Sequence, residues 1–206
     1  MMMKHRLALF VALASLAFGG AAQARMLTRA EQDELARISD AYNSMHSLEA
    51  DFAQIGPEGD LQEGKVYIKK PGEMRFEYAP PAATLVVCDG LDIAVFNLKL
   101  HTVDRYPLST TPLNLLLSDR VNLAGSSAVT GVEHQPGQVI VDARSNDRHV
   151  AGNIAIVFSD PGYELRQWTV TDAQGGTTTV TLRNIRAGVD LPDATFSLKG
   201  RSAAQP

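Results

Sequence analysis

Apolar side chains recur at Leu35, Ile38, Tyr42 and Met45, the spacing that lays one greasy stripe along a helix. Just before them, Thr28-Arg29-Ala30-Glu31 carries the signature of a capping box, in which a threonine and a glutamate satisfy each other's free N–H groups. The spacing predicts one amphipathic helix. From Leu48 onward the period shortens, and β-branched and aromatic residues alternate with polar ones in short runs bounded by turn residues. Eleven strands are predicted, over 48–55, 62–70, 73–79, 83–88, 91–97, 100–105, 127–134, 138–143, 152–158, 164–172 and 177–186. Pro71-Gly72, Asp89-Gly90, Pro136-Gly137, Pro161-Gly162 and Gly175-Gly176 leave too few residues for parallel crossovers, so neighbouring strands should form antiparallel hairpins. At Thr111-Pro112-Leu113 a capping residue precedes a proline suited to the first helical position, and Leu115, Leu116 and Leu117 follow. A short apolar helix is expected there.

Eleven strands and two helices make a sheet with one long face to cover and too little helix for a full second layer. The sheet closes on itself, packs as a sandwich, or curves into a trough under the helices. Only the trough leaves an apolar space of its own.

The first residues change the picture of compartment. Lys4 and Arg6 precede an apolar run from Leu7 to Phe18, and Ala22-Gln23-Ala24 has the small-x-small pattern of a signal peptidase site, so residues 1–24 are expected to be a removable export signal. Residues 25–206 then form a single domain with a loose tail after Lys199. Without Lys4 and Arg6 the basic residues number 17 against 23 acidic ones, a net charge of −6. Such a surface does not attract nucleic acid or anionic headgroups. Cys88 is the single cysteine, which excludes an internal disulfide, and no cysteine follows the cleavage pattern where a lipid anchor would be attached.

Several segments together resemble the LolA family of lipoprotein carriers. They are Phe52-Ala53-Gln54, the run from Glu63-Gly64-Lys65 through Pro71-Gly72 to Phe76-Glu77-Tyr78, Asp89-Gly90, Thr111-Pro112-Leu113-Asn114-Leu115-Leu116-Leu117, and Leu165-Arg166-Gln167-Trp168-Thr169-Val170-Thr171-Asp172 with Gly175 and Val180-Thr181-Leu182. The resemblance covers nearly all of the chain after residue 24. It implies a mainly β protein, an incomplete antiparallel β-barrel of about eleven strands with a lid of short helices over an apolar cavity. It further implies a monomeric periplasmic chaperone that binds the acyl chains of lipoproteins. The partners would be an inner-membrane lipoprotein-releasing ABC transporter and a LolB-like outer-membrane acceptor. That acceptor type is itself lipidated, so the missing lipidation cysteine favours the shuttle.

Strand alternation selects Leu48, Phe52, Val66, Ile68, Met74, Phe76, Leu85, Val87 and Val95 as the cavity wall, with Leu113, Leu116 and Leu117 on the lid. Any antiparallel protein buries such residues, so plain core packing is the competing role for each. Tyr67 alternates with Lys65 and Lys69, which suggests the outer face, whereas the resemblance implies an inward aromatic; it stays unassigned. Arg75, between Met74 and Phe76, points to the surface or to a partner. Lys70 stands where the family usually has an arginine that latches the lid, and a lysine is a looser point charge than a forked guanidinium. A solvated lysine at a strand end is the alternative.

Enzymatic motifs of the Gly-x-Ser-x-Gly, His-Glu-x-x-His and Gly-x-x-x-x-Gly-Lys-Ser/Thr types do not occur. His46, His101, His134 and His149 are dispersed singly, without metal-ligand spacing, and Cys88 reads as a small core residue. No cofactor or metal is expected. Two other functions fit the same pattern: a module of this fold that binds another amphiphile or regulates an envelope-stress pathway, and a lipid-metabolising enzyme using the trough.

Overall fold

The computed structural model describes residues 26–144 and 152–198; the expected export signal and the tail after Lys199 lie outside them. Helix α1 spans Arg29–Ser44 and starts as the capping box requires. Glu31 N–H donates to the Thr28 hydroxyl at 3.3 Å, and Thr28 N–H donates to the Glu31 carboxylate at 2.7 Å. Its buried face is Leu35, Ile38, Ser39 and Tyr42, while Met45, just past the last turn, is half-buried.

The strands follow as β1 (Ser47–Ile55), β2 (Leu61–Lys69), β3 (Glu73–Tyr78), β4 (Thr84–Asp89), β5 (Asp92–Asn97), β6 (Thr102–Pro107), β7 (Val129–Gln135), β8 (Gln138–Arg144), β9 (Asn153–Ser159), β10 (Leu165–Thr171) and β11 (Thr177–Ala187). All lie within two residues of the expected boundaries. They form one antiparallel sheet in the order β6-β5-β4-β3-β2-β1-β11-β10-β9-β8-β7. Two meanders are thus joined where β1 pairs with β11, and the sheet's two edges, β6 and β7, are consecutive in the chain. The connection between them carries a 3₁₀ turn, Leu108–Thr110, and helix α2, Leu113–Leu117.

The sheet is strongly curved. The rings of Phe76 on β3 and Trp168 on β10 sit edge to face with centroids 6.2 Å apart. Their strands are four steps apart in the order, roughly 19 Å along a flat sheet. The concave face gathers the main core, from Leu35 and Ile38 through Leu48, Val66, Ile68, Val139, Ile154 and Trp168.

The convex face carries a second, smaller core of Leu85, Val87, Ala94, Phe96 and Leu198. Leu85 and Val87 were expected on the cavity wall, and the register corrects that. Met74 pairs with Cys88 and Phe76 with Val86, so Val86 and Cys88 share the concave face and their neighbours face outward. Four consecutive apolar residues from Leu85 to Cys88 gave the alternation no phase. Both faces are apolar because the segment after β11 returns over the outside of the sheet. Leu198 packs there, Lys69 holds Asp193, and Arg75 donates to the Thr195 carbonyl at 3.4 Å.

Candidate functional site

The concave face is filled solid at one end and hollow at the other. Under α1 the strands contribute Leu48, Val66 and Ile68, all fully buried. Beyond them lies a cavity of about 540 Å³. Its floor and walls are Met74, Phe76 and Tyr78 from β3, Val86 and Ile93 from β4 and β5, and Trp168, Val170 and Val180 from β10 and β11. Thr110, Thr111, Pro112 and Leu113 roof it, and Gln54, Tyr106, Asp172 and Thr178 complete the lining.

The aromatic side chains are held by one another. Phe52 lies edge to face against Phe76 at 4.9 Å and Tyr78 at 5.1 Å, geometry favoured by the ring quadrupoles. Gly64 makes room for this, since a Cβ there would stand 2.0 Å from the Glu77 carbonyl oxygen and 2.9 Å from the Phe52 ring. The Tyr78 hydroxyl donates to Gln54 Oε1 at 2.9 Å, and burial pushes the phenol up to about 12. At the rim, Asp172 accepts from the N–H groups of Gln174 and Gly176, so its carboxylate is engaged in closing the β10–β11 turn.

Of the wall residues expected from sequence, Met74, Phe76 and Leu113 line the cavity. Val95 pairs with Val86 and packs against the main core beside it. Leu48, Phe52, Val66, Ile68, Leu116 and Leu117 belong to the solid core. Leu85 and Val87 lie on the far side of the sheet. Alternation continued past Phe76 would have found Tyr78, and alternation in the closing hairpin would have found Trp168, Val170 and Val180. The polar rim gave no sequence signal.

The roof is tied down at its two ends. Leu108 N–H donates to the Leu91 carbonyl at 2.8 Å. At the other end Tyr42 of α1 donates its hydroxyl to the Leu116 carbonyl at 3.0 Å, and Gly72 N–H donates to the Leu117 carbonyl at 2.7 Å. Asn43 exchanges two hydrogen bonds with the Val121 backbone, and Leu123 N–H donates to Ser39 Oγ. Between these ties, the hydrogen bonds of Thr110, Thr111, Asn114 and Leu115 run within the segment itself. Thr111 does not cap α2 as expected; its hydroxyl reaches back to the Leu108 carbonyl, and Pro112 occupies the cap position without a side-chain bond. Such a segment rests on its cavity by apolar contact.

Lys70 is buried rather than solvated. Its ammonium donates to the Tyr42 carbonyl at 3.3 Å and to Asn43 Oδ1 at 3.1 Å, and it stands 4.6 Å from the centre of the Tyr42 ring. Burial lowers its pKa, with Asp119 pulling weakly the other way. These partners are on α1, not α2. Lys70 therefore steadies the helix end whose Tyr42 and Asn43 hold the roof.

Reactive chemistry is quiet. Burial pushes the Cys88 thiol up to about 11, the opposite of an activated thiolate. His134 lies 2.8 Å from the Glu34 carboxylate, joining β7 to α1 at the surface. Among the described residues, none group as three or more His, Cys, Asp or Glu able to hold a metal ion, and no helix is long and apolar enough to cross a membrane.

Known proteins resemble this chain along most of its length. The chain is 26% identical over 171 residues to an outer-membrane lipoprotein carrier protein of Dechloromonas aromatica, covering 78% of this chain and 80% of that one. It is 24% identical over 194 residues to an outer-membrane lipoprotein carrier protein of Pseudomonas putida, covering 86% and 87%. The crystal structure of a LolA superfamily protein from Nitrosomonas europaea superimposes with a TM-score of 0.47 at 15% identity, covering 81% of this chain and 97% of that one. The model of the family described as outer membrane lipoprotein carrier protein LolA matches residues 43–199, and the chain belongs to that family.

Proposed function

We propose that this protein is a periplasmic carrier that takes the acyl chains of lipoproteins into the hollow under Thr110–Leu113 and gives them up without chemical change. The observation that carries this is an apolar cavity of about 540 Å³ roofed by a segment that is bonded only towards its ends. At roughly 30 Å³ for a water-sized group, that space takes about 18 methylenes, one long acyl chain. Burying each methylene is worth about 0.8 kcal/mol, so a cavity that simply stayed open to lipid would bind too tightly to deliver. A roof that settles onto the empty wall returns part of that energy on release. Loading would come from an inner-membrane lipoprotein-releasing ABC transporter and unloading would go to an outer-membrane acceptor.

The test is native mass spectrometry after co-expression with a lipoprotein, beside a copy of the cargo lacking its lipidation cysteine. Capture of the lipidated form alone is expected, and equal capture of both overturns the proposal. Trp168, the chain's single tryptophan, lines the cavity and supplies an optical readout. An acyl chain brominated along its length should quench it.

A further inference from the structure

The lining of the hollow changes character along the strands. Met74 and Phe76 make its depth apolar, whereas Gln54, Tyr78, Asp172 and Thr178 each stand within one residue of a strand end, and the antiparallel order brings those four ends to the same end of the sheet. From Met74 to Tyr78 the extended strand β3 covers about 13 Å. A ligand that suits such a space has its tail towards Met74 and its polar head among these groups.

Tyr78 is fixed at this end, its ring edge to face against Phe52 at 5.1 Å and tilted against Phe76 at 6.2 Å. Its hydroxyl donates to Gln54 Oε1 at 2.9 Å, and burial keeps the proton on the phenol. That bond orients the carboxamide: with Oε1 taken, Nε2 is the group left to face elsewhere. Among the described residues nothing accepts from Gln54 Nε2, and no buried side-chain N or O lacks a partner, so this N–H₂ is open to a ligand.

An acyl chain differs from an alkyl chain in one group, the carbonyl at its head. A hydrocarbon wall cannot tell the two apart. A donor at the polar end can, because a carbonyl that leaves water needs a replacement partner. The matching acceptor is neutral, since Asp172 brings a carboxylate to the same end and the described lining residues include no Lys, Arg or His.

We infer that Gln54 Nε2, aimed by the Tyr78 hydroxyl, donates to the ester or amide carbonyl at the head of the bound chain, so that the hollow selects acyl over alkyl chains of equal length. The inference rests on the carrier role proposed above. Gln54 sets the specificity and Tyr78 positions it.

The experiment compares monolauroylglycerol with its ether counterpart, monododecylglycerol, on the purified full chain; the two share chain length and head and differ by one carbonyl. Binding is read by Trp168 fluorescence and by calorimetry. The parent should prefer the ester by about fivefold, the factor that one neutral hydrogen bond supplies. Gln54→Leu should bring the two affinities together without weakening the ether. Gln54→Glu keeps an acceptor for Tyr78 and removes the donor, so it should lose the preference too, and it serves alone if Gln54→Leu does not fold. Tyr78→Phe frees the carboxamide to turn and should shrink the preference while ether binding holds, a result that lost packing would not give; an unchanged preference there overturns the positioning role of Tyr78. Equal binding of the two probes by the parent, or an ester preference that survives in the Gln54 variants, overturns carbonyl selection and leaves the carrier role standing. A parent that binds neither probe, yet captures lipidated cargo in the mass-spectrometric test, overturns the selection alone. A parent that does neither overturns both.

Discussion

The two ends of the concave face are built from the same strands and differ in what covers them. Strand β1 runs through both: Leu48, Ala50 and Phe52 are buried in the solid region, and two residues later Gln54 lines the hollow. Over the solid end lies α1, 16 residues long, capped at its start and pressing Leu35, Ile38 and Tyr42 into the strands. Over the hollow end lies α2, five residues long and without a side-chain cap. A helix that short cannot fill the trough by itself: its last turn is held in the solid core by Leu116 and Leu117, and only its start, with Thr110–Pro112, spans the hollow. Empty space in this molecule is a property of its cover, not of its strands.

The contrast is open to direct attack. The largest effect is expected from Ile38→Ala, which deletes a fully buried side chain at the solid end and should cost about 2–5 kcal/mol in urea unfolding. Val180→Ala at the hollow end removes contacts that already border a void, and about 1 kcal/mol is expected. Equal losses would erase the distinction between the two ends. Tyr42→Phe comes next, since it strands the Leu116 carbonyl and should cost about 1–2 kcal/mol. Hydrogen exchange at Leu117 and Val121 should quicken in that variant more than exchange in β1 and β2, and unchanged protection would show that the tie does not hold the roof.

Lys70→Ala should have the smallest effect on stability and a clear one on delivery. Losing the bonds to Tyr42 and Asn43 loosens the end of α1, so release of cargo to an acceptor should speed up; if release and roof opening are both unaltered, Lys70 is no latch. The sign with pH follows from burial, which depresses this lysine's pKa in the folded state. Protonation is then disfavoured on folding, so the penalty is present at neutral pH and fades as pH climbs through the folded pKa towards the ordinary lysine range. Over that window the parent should gain stability relative to Lys70→Ala in paired urea titrations.

Much of the scaffold was legible because two local signals agreed at nearly every element. Alternation and turn residues placed all the strands, and Thr28 with Glu31 placed the start of α1. The hollow was not legible. Phe52 and Phe76 obey one alternation rule, yet one is solid core and the other is wall, because the difference lies in a cover more than thirty residues away in the chain. Alternation also failed where both faces are apolar, as at Leu85 and Val87, whose covering partner Leu198 is more than a hundred positions distant. Tyr67 is settled by register: it pairs with Glu49 and Arg75 on the convex face. Arg75 lies there too, engaged with Glu77 and the returning C-terminal segment.

The joining of edge strand β6 to edge strand β7 by the roof segment has a mechanical outcome. Every rung of the ladder lies within the sheet on either side of the seam, so no strand pairing depends on where the roof segment rests. Frame and cover are thus separate parts of the fold, and the walls of the hollow do not depend on the cover for their ladder.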